Sequence, residues 1–382
     1  MKTQAAPAEH FAPALPPLAG PLLLWYDGHA RVLPWREDPT PYRVWISEVM
    51  LQQTRVEAVK PYFDRFLAAL PDVSALAAAP EEQLLKLWEG LGYYSRVRNL
   101  QRAAKIVLER DGGRLPASVA LLRSLPGVGE YTAGAIASIA YGLPAAAVDG
   151  NVLRVTARLT DFSGDVTDPK IRRGIGKEIE AQMPLERAGE FNQALMELGA
   201  TVCLPNGAPR CEACPLASLC LAKARGTALL RPVKKPKKPR RIEEKTVLVV
   251  TGAEETSGKA QFLLEKRPEK GLLAGMWQFP LLDGHWDGTA VRKRLEGEGA
   301  QVLSVEPLPQ SKHIFTHVEW HMQAFLIRCA APFAEKTGRW AAADERERYA
   351  LPSAFSAYEG LFSPEETPAR RFLQQSLFEE EV

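Results

Sequence analysis

The sequence has no long hydrophobic run and almost no net charge, and both absences narrow the classes of protein to consider. The apolar run Pro21–Trp25 is far shorter than the roughly 20 residues of a membrane-spanning helix, so no membrane attachment is predicted. The formal net charge is +2. Binding to a polyanion would therefore depend on local patches rather than on an overall field. No repeat typical of a solenoid is visible.

Cysteine is also scarce, and its distribution is uneven. Five cysteines occur in 382 residues, and four of them lie between positions 203 and 220. This clustering favours a metal site over a disulfide framework and fits the cytoplasm. The beginning of the chain is rich in Ala and Pro and lacks the apolar core of a signal peptide. Residues 1–17 are therefore predicted to be a disordered leader.

The spacing of apolar residues divides the rest of the chain. Over residues 18–226 they recur every three or four positions, as in Val152, Val155 and Leu159, which predicts helices. Residues 227–242 include RPVKKPKKPRR, in which seven of eleven residues are basic and three are proline. Proline blocks regular pairing and like charges repel, so this segment is predicted to be an extended linker. It serves either as a tether to the DNA backbone or simply as a solvated connection.

A smaller α+β domain is predicted over residues 243–365, followed by a tail over residues 366–382. Alternating and β-branched segments predict three strands, and an amphipathic segment predicts one helix. The strands are Thr246–Thr251, Ala260–Leu264 and Trp320–Cys329, and the helix is Asp287–Gly297.

The segment Leu125–Ala137, LPGVGEYTAGAIA, predicts a hairpin that binds a phosphate. Gly127 and Gly129 flank a tight turn, and a helix of small residues is predicted over Thr132–Ala140. Glycine lets backbone N–H groups approach an anion, and the start of a helix favours negative charge. The sequence VDGN follows at residues 148–151.

Two carboxyl groups are candidates for acid–base chemistry. Glu48 lies on an apolar edge of a helix predicted over Val44–Val56, and poor hydration there would raise its pKa and make it a general acid. The alternative is a surface glutamate at a helix edge. Asp149 precedes a helix, where it would be an N-cap kept ionised by the helix dipole. One neutral and one charged carboxyl suit cleavage through an oxocarbenium-like transition state.

The four clustered cysteines have the spacing C-x7-C-x2-C-x5-C, with no histidine among them: Cys203, Cys211, Cys214 and Cys220. Four thiolates can hold either a tetrahedral zinc ion or a cubane iron–sulfur cluster. The spacing alone leaves both open.

These motifs together resemble a known family. The hairpin is similar to the helix-hairpin-helix of the endonuclease III superfamily of DNA base-excision glycosylases. WISEVMLQQT at 45–54 and GLGYYSRVRNL at 90–100 resemble the catalytic and DNA-wedge segments of MutY-type adenine DNA glycosylases, and the similarity spans residues 22–220. The resemblance implies hydrolysis of adenine mispaired with 8-oxoguanine or guanine in double-stranded DNA, after base flipping. It also implies a cytoplasmic, nucleoid-associated monomer.

The resemblance assigns roles to individual residues. Glu48 would protonate the leaving adenine and activate water, Asp149 would stabilise the sugar cation, and Asn151 would hold Asp149. Gln53 and Tyr93 would enter the base stack, and Gly127 and Gly129 would grip the DNA backbone. The adenine pocket would be lined by Arg31, Trp35, Arg36 and Gln193. For Trp35 and Tyr93 the alternative is ordinary core packing.

Tyr131 bears on the reaction class. Relatives that also cleave the strand carry a lysine just after the hairpin, and a phenol cannot form the imine that this lysine forms. The resemblance therefore implies a monofunctional hydrolase with Tyr131 at the catalytic centre. Two other hypotheses are a pyrimidine-lesion glycosylase/lyase, which Tyr131 opposes, and a lesion-binding protein without catalysis, which the presence of Glu48 and Asp149 opposes.

The resemblance also implies a 4Fe–4S cluster on the four cysteines. The family spacing is C-x6-C-x2-C-x5-C, so this chain has one extra residue in the first gap, Leu204–Arg210. A loop between two ligands absorbs such an insertion easily, but its path then differs from that of the family.

The C-terminal part resembles the Nudix-like lesion-recognition domain of the same family. Phe315-Thr316-His317 occupies the place of a Phe-Ser-His loop that contacts 8-oxoguanine, and GMWQFP at 275–280 resembles a Nudix segment. The acidic box that binds magnesium is missing near Ala290–Gly299, which argues against pyrophosphohydrolase activity. His313, His317 and His321 have helical metal-site spacing, but His321 falls in an alternating strand pattern.

The tail contains QQSLF at residues 374–378. An adjacent apolar pair at a chain end suits the groove of a partner protein. The pentapeptide resembles the bacterial sliding-clamp-binding motif, with Gln374, Leu377 and Phe378 as the contact residues. The alternative is a helix over Arg370–Phe378 that packs on the second domain.

Overall fold

A computed structural model describes residues 14–233, 239–252, 261–330, 332–333 and 338–362. Most of the predicted leader lies outside the described residues, as does the tail segment with Gln374, Leu377 and Phe378. The chain forms two compact units, Met1–Ala79 with Arg98–Pro236 and Pro80–Val97 with Lys237–Val382. The spacing of apolar residues assigns residues 80–97 to the helical region, whereas their contacts group them with the second unit.

The first unit is helical, as predicted. Its helices are α1 (Ala19–His29), α2 (Pro34–Glu37), α3 (Pro41–Leu51), α4 (Val56–Ala69), α5 (Val73–Ala78), α8 (Val119–Arg123), α9 (Glu130–Ala135), α10 (Gly150–Leu159), α11 (Pro169–Gln182), α12 (Ala188–Thr201) and α13 (Leu221–Ala224), together with most of α7 (Ser95–Asp111). Polar N-caps start several of them. The side chains of Thr40, Ser118 and Asp168 each accept a hydrogen bond from a backbone N–H of the first turn.

The buried face of α12 lies in a core shared with α1, α10 and α11. Phe191 and Leu198 of α12 pack in the same cluster as Leu22, Val152 and Ile179. Each of these side chains is at most 1 % exposed. Burial of one such side chain stabilises the fold by about 1.5–3 kcal/mol. This core fixes α10 and α12, which carry several of the candidate site residues.

Two predicted helices have different bounds in the structure. The prediction of one continuous helix over Val44–Val56 is wrong, because α3 ends at Leu51 and α4 begins at Val56. Gln53 between them has φ +59°, a left-handed conformation that interrupts a right-handed helix. The helix predicted over Thr132–Ala140 begins as α9 and continues as a π-helical turn over Ile136–Ala140.

The second unit contains a mixed sheet. Among the described residues it has seven strands: β1 (Arg241–Gly252), β2 (Gln261–Lys266), β3 (Trp277–Gln278), β4 (Leu281–Asp283), β5 (Val302–Ile314), β6 (Val318–Cys329) and β7 (Gly338–Ala342). The path runs β3-β2-β1-β6-β5, with β4 paired to β1 and β7 to β2. β1 and β6 pair in parallel, and β5 and β6 in antiparallel fashion. The unit also has α6 (Glu81–Leu87), α14 (Gly288–Gly297) and α15 (Ser356–Glu359).

The sheet is covered on both faces, which confirms the predicted α+β class. Val247 and Val249 of β1 pack with Phe355, whereas Leu248 and Val250 pack with Val291 of α14. Alternate residues of one strand point to opposite faces, so the continuous apolar run in β1 reflects burial on both sides. Among the described residues, the structure has no helix of the length and apolar character needed to cross a membrane.

Candidate active site

Glu48 is buried in the last part of α3. Pro41 at the first helical turn and the Thr40 cap start this helix. Glu48 is 5 % exposed, and its neighbours Trp45 and Val49 on the same helix are also buried. The alternative of a surface glutamate is therefore wrong.

Asp149 is the N-cap of α10, as predicted. Its Oδ1 accepts a hydrogen bond from the Val152 N–H at 2.7 Å, and its Oδ2 accepts one from Asn151 Nδ2 at 2.7 Å. The carboxylate thus lies at a helix start with both oxygens held in place. Asn151 supplies one of these two hydrogen bonds.

Tyr131, in the first turn of α9, connects to Glu48. Its hydroxyl donates a hydrogen bond to Glu48 Oε2 and lies 3.4 Å from the sulfur of Met196. Tyr131 is therefore in direct contact with the candidate acid.

These residues line one cavity of about 160 Å³. That volume is several times the roughly 30 Å³ that one water molecule occupies in liquid water. The lining brings together eight of the sequence-predicted site residues: Arg31, Trp35, Arg36, Glu48, Tyr131, Asp149, Asn151 and Gln193. Apolar side chains, among them Leu33 and Ile139, complete the wall. The cavity therefore combines a poorly hydrated wall with two carboxyl groups.

The pKa values of the two carboxyl groups are both raised. Burial raises the pKa of Glu48 to about 7; the Tyr131 hydrogen bond works against this shift, and Asp149 adds to it. Burial also raises the pKa of Asp149, although the hydrogen bonds from Val152 and Asn151 work to lower it. Burial therefore outweighs the capping hydrogen bonds in the direction of the pKa shift, and the expectation that the helix start keeps Asp149 ionised stays a prediction.

Glu197, on α12, is a site residue that the sequence analysis missed. Its fully buried carboxylate binds Arg31 Nε at 2.5 Å and Arg36 Nη2 at 2.8 Å. Burial works to raise its pKa, but hydrogen bonds and charges from both arginines lower it overall. Glu197 follows Gln193 by four residues on one helix, and such residues share a face. That spacing was the signal that could have identified it.

Arg154 was also missed, and it supports Asp149 from behind. Its Nη2 donates to Asn151 Oδ1 and to the Gly199 carbonyl, both at 2.8 Å, and its Nε donates to the Cys203 carbonyl at 2.8 Å. Asn151 is therefore fixed between Asp149 and Arg154. The chain of hydrogen bonds runs from the catalytic cavity to the cysteine loop.

The predicted hairpin has the expected local geometry. Gly127 has φ +77°, and a Cβ there would lie 2.7 Å from the Cβ of Asn99, so the position requires glycine. Gly129 is the N-cap of α9 and adopts an extended conformation. Neither glycine is among the described residues that line the cavity.

The two predicted stack-entering residues share an unusual backbone. Gln53 has φ +59° and Tyr93 has φ +48°, and both side chains are exposed. Left-handed conformations are uncommon for residues other than glycine and often occur at functional sites. Tyr93 lies in the second unit by its contacts, and Gln53 in the first.

The predicted lesion loop is the turn between β5 and β6. The Phe315 N–H donates to the Val318 carbonyl at 2.9 Å, and the Phe315 ring packs on Trp320 with centroids 4.9 Å apart. Thr316 and His317 are exposed. The Thr316 hydroxyl lies 3.0 Å from the Tyr93 hydroxyl, so the second unit joins a predicted wedge residue to a predicted lesion contact.

The four clustered cysteines line a second, smaller cavity together with Arg158. Arg158 Nη1 donates to Cys203 Sγ at 3.2 Å, and backbone N–H groups of Leu216 and Lys223 bond to the sulfurs of Cys214 and Cys220. Over the described stretches, no group of three or more His, Cys, Asp or Glu side chains is arranged to hold a metal ion as it stands. Four sulfurs on one cavity, with N–H donors around them, nevertheless have the donor set of an iron–sulfur site.

Comparison with known proteins adds the family. Residues 46–181 match the model of the HhH-GPD superfamily base excision DNA repair protein, and residues 254–358 match a NUDIX domain. The adenine DNA glycosylase of Rattus norvegicus is 35 % identical, over 88 % of this chain and 77 % of its own length. That of Buchnera aphidicola subsp. Schizaphis graminum is 34 % identical, over 84 % and 91 %. The chain belongs to the adenine DNA glycosylase family.

A solved structure of a thermostable thymine-DNA glycosylase is also similar, with 28 % identity, a TM-score of 0.49, and coverage of 54 % of this chain and 95 % of that chain. The family assignment confirms the predicted resemblance, the DNA glycosylase class and the pairing of a helical region with a Nudix-like domain. The enzyme is thus a base excision repair glycosylase.

Proposed function

We propose that the enzyme hydrolyses adenine from adenine·8-oxoguanine and adenine·guanine mispairs in double-stranded DNA. The observation that carries this proposal is the pairing of two carboxyl groups in one cavity, buried Glu48 and half-buried Asp149, with the pKa of Glu48 raised to about 7. A carboxylic acid that keeps its proton near neutral pH can protonate a leaving base. The names of the relatives support adenine as that base.

In the proposed mechanism, neutral Glu48 gives its proton to adenine as the bond between the base and the sugar breaks. Asp149 carries the negative charge that stabilises the resulting oxocarbenium ion, and Asn151 holds it in position. The Glu48 carboxylate then takes a proton from the attacking water, which returns Glu48 to its acid form. Tyr131 orients Glu48 throughout.

The lining of the cavity also supports recognition of adenine, and it supports hydrolysis of the base without cleavage of the DNA strand. The Gln193 side chain can both donate and accept hydrogen bonds, which suits the edge of adenine, and Trp35 offers an apolar surface. Glu197 keeps Arg31 and Arg36 in place. Among the described residues that line the cavity there is no lysine, so no amine is present to form an imine with the sugar. This favours a monofunctional enzyme.

The test is single-turnover excision from duplexes with adenine opposite 8-oxoguanine, guanine, cytosine or thymine. Excision is expected to be fastest opposite 8-oxoguanine, slower opposite guanine, and slow opposite the two pyrimidines. Borohydride added during the reaction is expected to trap no covalent adduct. Equal rates in all four duplexes, or an adduct that forms as fast as excision, would contradict the proposal.

Lesion preference is assigned to the Phe315-Thr316-His317 loop. Thr316→Val removes the hydroxyl and keeps the shape, so the preference for 8-oxoguanine over guanine is expected to fall roughly fivefold, as for one lost hydrogen bond worth about 1 kcal/mol. Thr316→Ser keeps the hydroxyl and is the matched control. The ratio of single-turnover rates measures the effect, and an unchanged ratio in Thr316→Val would argue against the assignment.

Activity should depend on pH in the sense that the two pKa shifts dictate. The rate is expected to fall above pH 7 as Glu48 loses its proton, and to fall in acid as Asp149 gains one. Tyr131→Phe removes a hydrogen bond that lowers the pKa of Glu48, so the alkaline limb is expected to move to higher pH. A single-turnover pH profile measures this, with Tyr141→Phe as the control. A limb that stays in place or moves to lower pH would refute the role of Tyr131.

We also propose a 4Fe–4S cluster on Cys203, Cys211, Cys214 and Cys220. When bound, it would tie the loop together through four iron–thiolate bonds, and no step of the reaction is assigned to it. The purified enzyme is expected to be brown and to contain about four iron and four labile sulfide per chain. Colourless, active protein with one zinc ion per chain would show that zinc holds the loop instead.

We also propose a bacterial sliding clamp as a protein partner of the enzyme, in addition to its DNA substrate. Its support is the sequence QQSLF alone, with Gln374, Leu377 and Phe378 as contact residues.

A further inference from the structure

The turn that presents Tyr93 is held in a conformation that it would rarely adopt unaided. Gly90 has φ +95°, Gly92 has φ +69° and Tyr93 has φ +48°. Glycine tolerates such angles, whereas a side chain with a Cβ does so at a cost in free energy. The Tyr93 side chain is also 45 % exposed, so burial of its ring alone does not fix it. Other contacts must hold this turn.

Arg96 makes several of those contacts, in addition to the Gly90 N–H bond to the Tyr94 hydroxyl and the contact between the Tyr93 and Thr316 hydroxyls. Its Nη2 donates to the Leu91 carbonyl at 2.9 Å and to the Gly92 carbonyl at 3.0 Å. Its guanidinium lies 5.3 Å from the Trp88 ring centroid and 5.7 Å from that of Tyr93, within the range of cation–π attraction. Trp88 Nε1 donates to the same Gly92 carbonyl at 3.2 Å. The arginine therefore joins the backbone of the turn to the ring that the turn presents.

The location of Arg96 is unfavourable for a cation. It lies in the first turn of α7, where the helix dipole favours negative charge. It is 8 % exposed, and burial lowers its pKa to about 10, with Tyr93 acting in the opposite direction. A residue that only served the helix would be acidic or polar here. Of the interactions described above, both carbonyl bonds and one of the two ring contacts of Arg96 go to the Tyr93 turn, and the other ring, Trp88, itself donates to that turn.

We infer that Arg96 is a positioning residue that holds the Tyr93 ring ready to enter the base stack. The inference rests on the proposed function, in which Tyr93 enters the stack as adenine leaves it. A ring fixed before binding loses less conformational entropy on insertion. Arg96 thereby favours the extruded state of adenine, without contact with the reacting atoms.

The test measures extrusion of a fluorescent 2-aminopurine at the adenine position. All proteins carry Glu48→Gln, so that no excision competes. Arg96→Lys keeps the charge but loses the planar guanidinium, whose Nη2 bonds two carbonyls and which lies near both rings. It is expected to lower the extruded fraction roughly five- to tenfold, as for a lost charge-assisted hydrogen bond and a weakened cation–π contact. Arg294→Lys on α14, in the same unit and exposed, is the matched control and is expected to have no effect.

A double-mutant cycle separates positioning from general damage to the fold. If Arg96 acts through Tyr93, Arg96→Lys is expected to change extrusion less than about twofold in a Tyr93→Ala protein. An equal loss in both backgrounds, or no loss with Tyr93 present, would overturn the inference. Arg96→Gln repeats the cycle if the lysine variant has a lower melting temperature. If Tyr93→Ala alone leaves extrusion unchanged, the proposed role of Tyr93 fails, and the inference fails with it.

Discussion

Glu48→Gln is expected to lower the single-turnover rate of adenine excision by roughly 10³-fold or more, with binding to the mispaired duplex retained. A single general acid or base contributes roughly 10²–10⁴-fold, and Glu48 is assigned both steps. Glutamine has nearly the shape of the protonated acid and can still accept the Tyr131 hydrogen bond. The loss should therefore appear in the rate at saturating enzyme and not in the dissociation constant.

The matched control is Glu57→Gln. Glu57 lies at the start of α4, where it pairs with Lys60 on an exposed surface. Removal of such a pair changes stability by about 0–1 kcal/mol and should leave excision unchanged. If Glu48→Gln retains a tenth or more of the wild-type rate, Glu48 is not the acid. If both variants lose activity equally, the loss has a cause other than the acid–base role.

The type of each unit could be predicted from the sequence, because apolar periodicity reflects local packing. The helices of residues 18–226 and the strands around Val247 and Trp320 follow that pattern. The break between α3 and α4 could not be predicted, because a glutamine side chain does not favour the left-handed backbone that Gln53 adopts. Its conformation depends on its surroundings in the fold, which a local pattern does not contain.

The candidate site divides in the same way. Glu48, Asp149 and Tyr131 lie in motifs whose spacing and resemblance mark them, and the structure brings all three to one cavity. Glu197 lies in an ordinary helical segment, and its importance arises from ion pairs with Arg31 and Arg36, more than 160 residues earlier. The raised pKa of Asp149 has the same origin, because burial results from distant segments.

Long-range contacts also decide where residues 80–97 belong. Glu89 accepts hydrogen bonds from the Leu351 N–H at 2.7 Å and from Arg346 Nη2 at 3.2 Å. These two partners are separated from Glu89 by 262 and 257 residues in the sequence. Local periodicity predicts the helix α6 in this segment but not the unit on which the segment packs.

Asp149→Asn is expected to lower excision by roughly 10²–10³-fold while the enzyme stays folded. Removal of one preorganised group that stabilises transition-state charge has an effect of this size. Asparagine is as good an N-cap as aspartate, so the start of α10 is preserved. Burial raises the pKa of Asp149, so the charged form is costly in the folded state and its loss should not destabilise the protein. Rate and stability should therefore separate in this variant.

Asp168→Asn makes the same substitution at another N-cap. Asp168 caps α11 through the Lys170 N–H at 2.7 Å, in an exposed position away from the cavity. Both variants are expected to melt close to the wild-type temperature, and only Asp149→Asn is expected to lose single-turnover activity. A near-wild-type rate in Asp149→Asn would mean that the cap alone explains the aspartate. The amide keeps the cap but removes the negative charge and the oxygen that accepts from Asn151, so a large loss at an unchanged melting temperature would assign the carboxylate of Asp149 to the sugar cation.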